Sequence, residues 1–446
     1  MTFTDLLPII TLSLLLSWPL LTMTMAIIGA IPTRPTRLHG PDGTRHYWIM
    51  VPALNEAKVI RNTVTGALAL HTARAPVRVL VIDDGSDDGT AEVLRQLNHP
   101  RLHVLTRRPP NARQGKGLAL NAGYRMIRDW AQRTGTVDST IVGVIDGDGR
   151  GARGMINQVV DAFFADPRVG AVQCRVRITN RRWLLGFLQD VEFACVAHAA
   201  QRFRDLVDAV GLGGNGQFVR LRDLMRFADT PWSTCLVEDL DLGIRLHLEG
   251  VRVRYASAAE VHQQAIVHPG RLIRQRARWA QGNLQCASYL TDLFRSRRVR
   301  SVGLVDFLAY LITPWLTVPM SIIVAAAVTL VVVGLATDNP MGGLVATGPF
   351  VGPAVTLWLV VLFLPGILWA VWHWYQLNDE PLWRCLVAGA FYPLFLLLGV
   401  IATWRGLARH LTGRNTWSKT ARLDETHPPH GPRITQPVPG GRVRTE

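Results

Sequence analysis

At 446 residues the chain has room for two or three domains, and its 48 lysines and arginines against 33 acidic residues leave it at +15. That excess suits a phosphate-rich partner, whether nucleic acid, an anionic membrane face or a phosphorylated small molecule. Five cysteines without a C-x-x-C pair argue against a disulfide framework and a structural zinc site, and fit a reducing compartment.

The first element is an apolar run from Leu6 to Thr33 that holds no charged residue, long enough to cross about 30 Å of hydrocarbon. A cleaved signal peptide is the competing account. The run exceeds the roughly 7–15-residue core of such a peptide, and Arg34, Arg37 and Arg45 follow it instead of preceding it. Residues 1–45 therefore read as a membrane helix and linker, with the arginines holding the next segment in the cytosol.

Residues 46–300 carry no run of membrane length. Short β-branched runs ("YWIMVPAL", "VRVLVIDDGS", "LHVLTR", "TIVGVIDGDG", "VGAVQCRVRI") alternate with helix-like stretches at Asp88–Leu97, Leu118–Gln132 and Met155–Phe164. The alternation predicts an α/β domain with a mostly parallel sheet covered on both faces. Ligands of such sheets lie beyond the carboxyl ends of the strands. Three runs end there in polar clusters: Asn55-Glu56, Asp83-Asp84-Gly85-Ser86 and Asp146-Gly147-Asp148.

Two later stretches, "RRWLLGFLQDVEFACVAHAAQRFRD" and "RLIRQRARWAQGNLQCASYLTDLFRSRR", are amphipathic. They suit domain helices with solvated faces, or interfacial helices along anionic headgroups. Apolar runs at Phe307–Thr337, Val351–Leu377 and Leu386–Trp404 make residues 301–410 a membrane helical region. Residues 411–446 form a basic tail, rich in Pro, Gly and Arg from Pro428 onward and expected to be disordered.

A lone D-x-D is a weak signal, often a polar turn. At the end of "TIVGVID", however, Asp146 and Asp148 can converge on one hard cation, Mg2+ or Mn2+, that shares its shell with substrate phosphates. Asp83 and Asp84 read as a turn, or as carboxylates accepting from a base or ribose. Lys116, between glycines at a helix start, suits a phosphate or base contact.

Gly211, Gly213 and Gly216 match G-x-G-x-x-G, with Glu238-Asp239 following about twenty residues later, so a dinucleotide fingerprint is a rival reading. The motif lies mid-domain after a feeble strand. A glycine-rich wall that lets an acceptor approach the backbone is the better account. Glu238, Asp239 and Asp241 can offset a helix dipole, place an acid in the cleft, or both. One helical turn would put Gln275 and Arg278 on one face with Trp279 alongside, an arginine for a leaving pyrophosphate and an indole for a sugar ring.

Taken in order, "VPALNEA", "VIDDGSDDGT", "GKGLALNAG", "DGD", "GNGQF", "VEDLDLG" and "QRARW" resemble the inverting glycosyltransferases of family 2. Within that family the set is similar to the processive membrane-embedded synthases of cellulose, hyaluronan, chitin and bacterial capsules. The resemblance covers residues 46–300 and the flanking membrane segments. It implies a GT-A type nucleotide-sugar-binding domain with a mixed, mostly parallel sheet, interfacial helices and a transmembrane region. It places Asn55, Glu56, Asp83, Asp84, Lys116, Asp146 and Arg278 at the nucleotide sugar, and Mg2+ or Mn2+ at Asp146 and Asp148. Asp239 would be the catalytic base with Glu238 beside it, and Gly214, Asn215, Gln217, Gln275 and Trp279 would meet the acceptor. The usual T-E-D reads Val237-Glu238-Asp239 here, which keeps the base and leaves its fine placement open. "NTWSKTARL" resembles a gating segment, with Trp417, Lys419, Thr420 and Arg422 closing over the diphosphate; a basic tail on anionic lipid is the other account.

The enzyme so implied takes a UDP-sugar, UDP-glucose before UDP-glucuronate or UDP-N-acetylglucosamine, and extends a β-linked polysaccharide extruded across a bacterial inner membrane. It is multi-pass with a cytosolic catalytic domain; transfer of a single sugar to a membrane lipid is the alternative. Nucleic acid is not an expected partner, because the arginines are dispersed without an aromatic platform. One amino-terminal span and three later ones would leave the basic tail on the far side, whereas a gating tail must be cytosolic. Pro314 and Pro319 make Leu304–Pro319 the candidate for lying flat.

Overall fold

The computed structural model describes residues 23–24, 27–28, 45–70, 77–299, 301–337, 351–414 and 422–425. The expected amino-terminal span thus falls almost wholly outside the described residues, as do Trp417, Lys419, Thr420 and the end of the tail.

Eight strands form one sheet: β1 His46–Ala53, β2 Val77–Asp83, β3 Leu102–Thr106, β4 Thr140–Val144, β5 Arg150–Gly151, β6 Val169–Ile178, β7 Gln217–Arg220 and β8 Arg252–Gln263. Their order is β3-β2-β1-β4-β7-β6-β8-β5. β3, β2, β1 and β4 are parallel, whereas β7 runs antiparallel to both β4 and β6. Successive side chains of a strand point to opposite faces. In β1, Tyr47, Ile49 and Val51 enter one apolar layer with helix α1 (Ile60–Ala69), while Trp48 and Met50 enter the other with α3 (Lys116–Arg133). The short helix α2 (Thr90–Gln96) packs beside α1.

The first amphipathic stretch folds as α4 (Leu184–Val191), a π-helical turn and α5 (His198–Leu206). Helix α6 (Glu238–Leu248) and helix α7 (Pro269–Cys286) follow. Three long apolar helices close the described chain: α8 (Ser301–Thr337), α9 (Val351–Leu377) and α10 (Leu382–Leu411). All three are long and apolar enough to cross a membrane. The amphipathic faces are not solvated along these contacts. Phe187, Leu188 and Val191 of α4 and Leu272 of α7 share one cluster with Trp369 of α9 and Ala388 and Tyr392 of α10. At its centre Asp190, fully buried, pairs with Arg177 at 3.1 Å and with His373 of α9 at 2.9 Å.

α8 continues unbroken through Pro314 and Pro319. A proline lacks the N–H that would bond the carbonyl four residues back. The carbonyl freed by Pro314 belongs to Tyr310, and the Asn283 side chain of α7 donates to it at 3.3 Å. α10 packs along α7 and α4 of the domain. Near its start Arg384 donates to the Arg181 carbonyl, and near its end Arg409 donates to Gln281 of α7 at 2.9 Å. Between them Gly406 meets the α7 backbone so closely that an added Cβ would lie 2.8 Å from the Ala277 carbonyl oxygen. Cys385, Ala388, Tyr392, Phe395 and Ala402 are buried on this side. Trp383, Leu386, Phe391, Leu394, Leu397, Ile401 and Trp404 form an exposed apolar stripe on the other.

Candidate active site

The carboxyl ends of β1, β2 and β4 and the amino ends of α3 and α6 meet at one edge of the sheet. Asn55, Asp83 and Asp84 all make hydrogen bonds that shape that edge. Asn55, at φ 55°, exchanges side-chain hydrogen bonds with Asp87 at 2.7 and 2.9 Å, pinning the loop after β2. Asp84 pairs with Arg107 and accepts from the Arg113 backbone at 3.1 Å, which ties down the loop leading into α3. Burial raises its pKa against the opposing pull of Arg107. Asp83, also buried, accepts from the Ser86 backbone at 3.0 Å.

Lys116 stands at the centre. Its Nζ is 2.7 Å from Asp146 Oδ1, 3.2 Å from Glu238 Oε1 and 3.3 Å from the Gly214 carbonyl oxygen. Burial works against the ammonium, but Asp146, Glu238 and Asp239 outweigh it and raise its pKa. Gly214 shows how tightly these groups gather. A Cβ built there would fall 2.8 Å from Lys116 Nζ, 3.1 Å from Asp239 Oδ2 and 3.9 Å from Asp146 Oδ2. A side chain at this position would crowd the ends of Lys116 and Asp239. Burial, then the neighbouring Glu238, pushes the Asp239 carboxyl up to about 6, with Lys116 opposing.

Asp148 lies across from this group and is buried. Its Oδ2 accepts from the Gln264 backbone at 3.0 Å, and its Oδ1, which makes no hydrogen bond, is 2.9 Å from Arg422 Nη2 in an ion pair. Burial pushes Asp148 up while Arg422 pulls it down. Arg422 also lies 3.9 Å from Glu56. The segment carrying Arg422 is fastened by Gln264, which accepts from Leu423 N at 2.9 Å and donates to Glu425 at 2.7 Å, while Glu425 pairs with Arg150. Neither Gln264 nor Glu425 carries a motif that would have marked it in the sequence. Their roles arise from the docking of the tail.

Asp146 and Asp148 suit a hard divalent ion. Both offer carboxylate oxygens, and the Asp148 Oδ1 atom is buried without a hydrogen bond. Among the described residues no group of three or more His, Cys, Asp or Glu could hold a metal. An ion here would therefore complete its shell with water and phosphate, as Mg2+ does at nucleotide sites. The charge points the same way. Glu56, Asp146, Asp148, Glu238 and Asp239 face Lys116 and Arg422. An unscreened diphosphate would be repelled from such a cluster.

Gln217 is wholly enclosed in β7, between β4 and β6, so its side chain is not presented to an acceptor. Asn215 spends its amide on the fold, accepting from Asp146 N at 3.2 Å and donating to Gln263 at 2.9 Å. Arg278 donates to the Leu236 carbonyl at 3.2 Å, behind the segment that carries Glu238 and Asp239. Trp279 packs edge-on to Phe193 and under the Arg276 guanidinium, and Gln275 is half-buried on α7. The Gly211–Gly216 loop enters strand β7 rather than a helix, so the dinucleotide reading does not hold. A cleft of about 310 Å3 opens beside the centre between residues 113–118 and 233–238.

Known proteins resemble this chain in sequence and in fold. A family model described as "Glycosyltransferase like family 2" matches residues 44–282. Beta-monoglucosyldiacylglycerol synthase of Nostoc is 30% identical over 321 residues, covering 71% of this chain and 63% of that protein. Poly-beta-1,6-N-acetyl-D-glucosamine synthase of Staphylococcus aureus is 27% identical over 252 residues, covering 56% of this chain and 57% of that protein. The chain thus spans less than two thirds of the length of these curated relatives. Among solved structures, a mannosyltransferase from Pyrobaculum calidifontis in complex with GDP-Man and Mn2+ superposes with a TM-score of 0.59 at 18% identity, covering 92% of this chain and 100% of that one. At that identity the likeness speaks for the fold, the GT-A type with a mixed, mostly parallel sheet.

Proposed function

The chain belongs to glycosyltransferase family 2, and from that premise we propose that it transfers a hexosyl group, with inversion, from a UDP-sugar to a hydroxyl presented at a membrane face. The observation that carries this reading is the Asp239 carboxylate, raised to about 6 and held against Gly214, Lys116 and Asp146. Asp239 accepts the proton of the acceptor hydroxyl as its oxygen attacks the anomeric carbon. The bond to the diphosphate breaks on the opposite face, so an α-linked donor yields a β-linked product. Lys116 holds Asp146 and Glu238 in place, and Gly214 leaves the attacking oxygen its room. With Asp146 and Asp148 as its protein ligands, Mg2+ or Mn2+ would supply Lewis-acid stabilisation of charge on the leaving diphosphate.

A lipid hydroxyl is the acceptor we favour, with UDP-glucose as donor. The match to beta-monoglucosyldiacylglycerol synthases is longer and higher in identity than that to the polymer synthase. Polymer extension is the second reading, supported by Gln275, Arg278 and Trp279 in Q-x-x-R-W order on α7. Purified protein given radiolabelled UDP-glucose and diacylglycerol is expected to yield a single lipid-soluble β-glucoside. A ladder of longer products would select the polymer, and absence of UDP release with every UDP-sugar would reject transfer.

The same reading orients the membrane helices. α10 is about 45 Å long at 1.5 Å per residue, yet both of its ends touch the catalytic domain. We take it to lie along the cytosolic interface with its apolar stripe in the lipid, while α8 and α9 cross out and back. The tail then returns to the cytosol, where Arg422 meets Asp148. Pro381→Cys and Thr412→Cys are expected to react with an impermeant maleimide from the same side of sealed vesicles as Arg95→Cys. Labelling from opposite sides would restore α10 to a crossing.

A further inference from the structure

Cys235 and Cys286 are 51 residues apart in the chain, yet their Sγ atoms lie 3.7 Å apart. Both are free thiols. Cys235 is half-buried on the wall of the 310 Å3 cleft, so a small molecule can reach it. Cys286, at the end of α7, is enclosed among Ala209, Leu240, Ile244 and Leu293. The hydrogen bond to Cys235, and then burial, hold the Cys286 thiol far above its usual range. The outer sulfur is therefore the attacking one and the inner sulfur its resolving partner.

The segment joined to Cys235 leads straight into the centre of the site. Leu236 N donates to Gln285 Oε1 at 3.0 Å, and its carbonyl accepts from Arg278 at 3.2 Å. Val237 rests on Gly282 so closely that an added Cβ there would be 2.7 Å from it. Glu238 and Asp239 come next. A bond between the two sulfurs needs about 2.05 Å, well under the present 3.7 Å; Cys286 ends the 18-residue α7, whereas Cys235 stands on the loop just before α6.

We propose that Cys235 and Cys286 form a reversible disulfide by exchange with a low-molecular-weight disulfide of the glutathione class, shifting the Leu236–Asp239 segment and slowing turnover. Cys235 thiolate attacks one sulfur of the small disulfide and expels one small thiol, leaving a mixed disulfide. Cys286 gives up its proton and attacks Cys235 Sγ, expelling the second small thiol. Two protein thiols are oxidised and one disulfide is reduced to two thiols, so the step balances. Such a bond is consistent with a cytosolic face, where disulfides are transient and regulatory. This goes beyond the transfer reading, since the linkage forms whatever the substrate.

The test uses the full chain in lipid nanodiscs, equilibrated with mixtures of oxidised and reduced glutathione. Non-reducing peptide mapping should show one linked pair, Cys235 with Cys286, and hydrogen exchange at the amides of 236–239 should change with it. UDP release should fall several-fold and return with dithiothreitol, while Cys286→Ala keeps its activity and loses the response. The inference is overturned by absence of the linked peptide at strongly oxidising ratios. It is equally overturned by a linked form whose exchange and turnover are unaltered. The mapping is done on the unaltered chain, so it decides the point even if the variant folds poorly.

Discussion

Asp239→Asn is expected to lower turnover by about 10²–10⁴-fold, the usual worth of a positioned base, while donor affinity changes little. The amide has nearly the shape of the carboxylate and can still accept from Leu240 N, which Asp239 Oδ1 does at 2.8 Å. What disappears is the ability to take a proton. The same substitution should raise the melting temperature. Burial and Glu238 push the Asp239 carboxyl up to about 6 in the folded chain, above the ordinary carboxylate range, so the folded state holds its proton more tightly than the unfolded one. Its effect on stability is favourable at low pH and turns against the fold as pH rises through about 6. At neutral pH the charged form is a burden that asparagine removes, an exchange of stability for function at an active site. Turnover should show an acid limb near the same pH, because the base must be ionised to act. A variant that keeps full UDP release, or one that melts lower without losing activity, would remove Asp239 from this role.

The parallel half of the fold could be read from sequence because β1, β2 and β4 are buried on both faces and appear as unbroken apolar runs. β7 and β8 could not. Gln217–Arg220 is four residues long with a glutamine and an arginine, and Arg252–Gln263 mixes charges with small residues. Their strand character comes from the neighbours they pair with across long stretches of chain. The acids of the site were legible because a charge at a strand end has poor structural reasons to be there. Arg278 and Gln217 were harder, since a motif gives the residue type but not the direction of its side chain. The three apolar helices were legible as elements, and their contacts were not. Length and composition mark α8, α9 and α10 alike, whereas the contacts at both ends of α10 and the Asn283 bond to Tyr310 join residues far apart in the chain and left no pattern to read.

Asp148→Ala should remove most of the divalent-ion binding and, with it, turnover. Loss of an outer partner alone weakens a metal site by about 10–100-fold, so removal of a ligand is expected to exceed that. Mn2+ titration followed by electron paramagnetic resonance reads the loss without reference to activity, and excess EDTA should silence the unaltered chain. Arg422 supplies the internal control. It is the cation that faces the buried Asp148 Oδ1 at 2.9 Å, and an unpaired buried carboxylate is strongly unfavourable, by about 3–5 kcal/mol where one partner of such a pair is deleted. Arg422→Ala leaves that charge for a metal ion to satisfy, so Mn2+ should bind the donor-free variant more tightly than the unaltered chain. The two substitutions therefore shift Mn2+ affinity in opposite directions, although each removes one half of the same ion pair. If Arg422→Ala weakened Mn2+ binding as Asp148→Ala does, Arg422 would be supporting the ion site rather than competing for it. If neither moved it, the ion would have to be held away from Asp148.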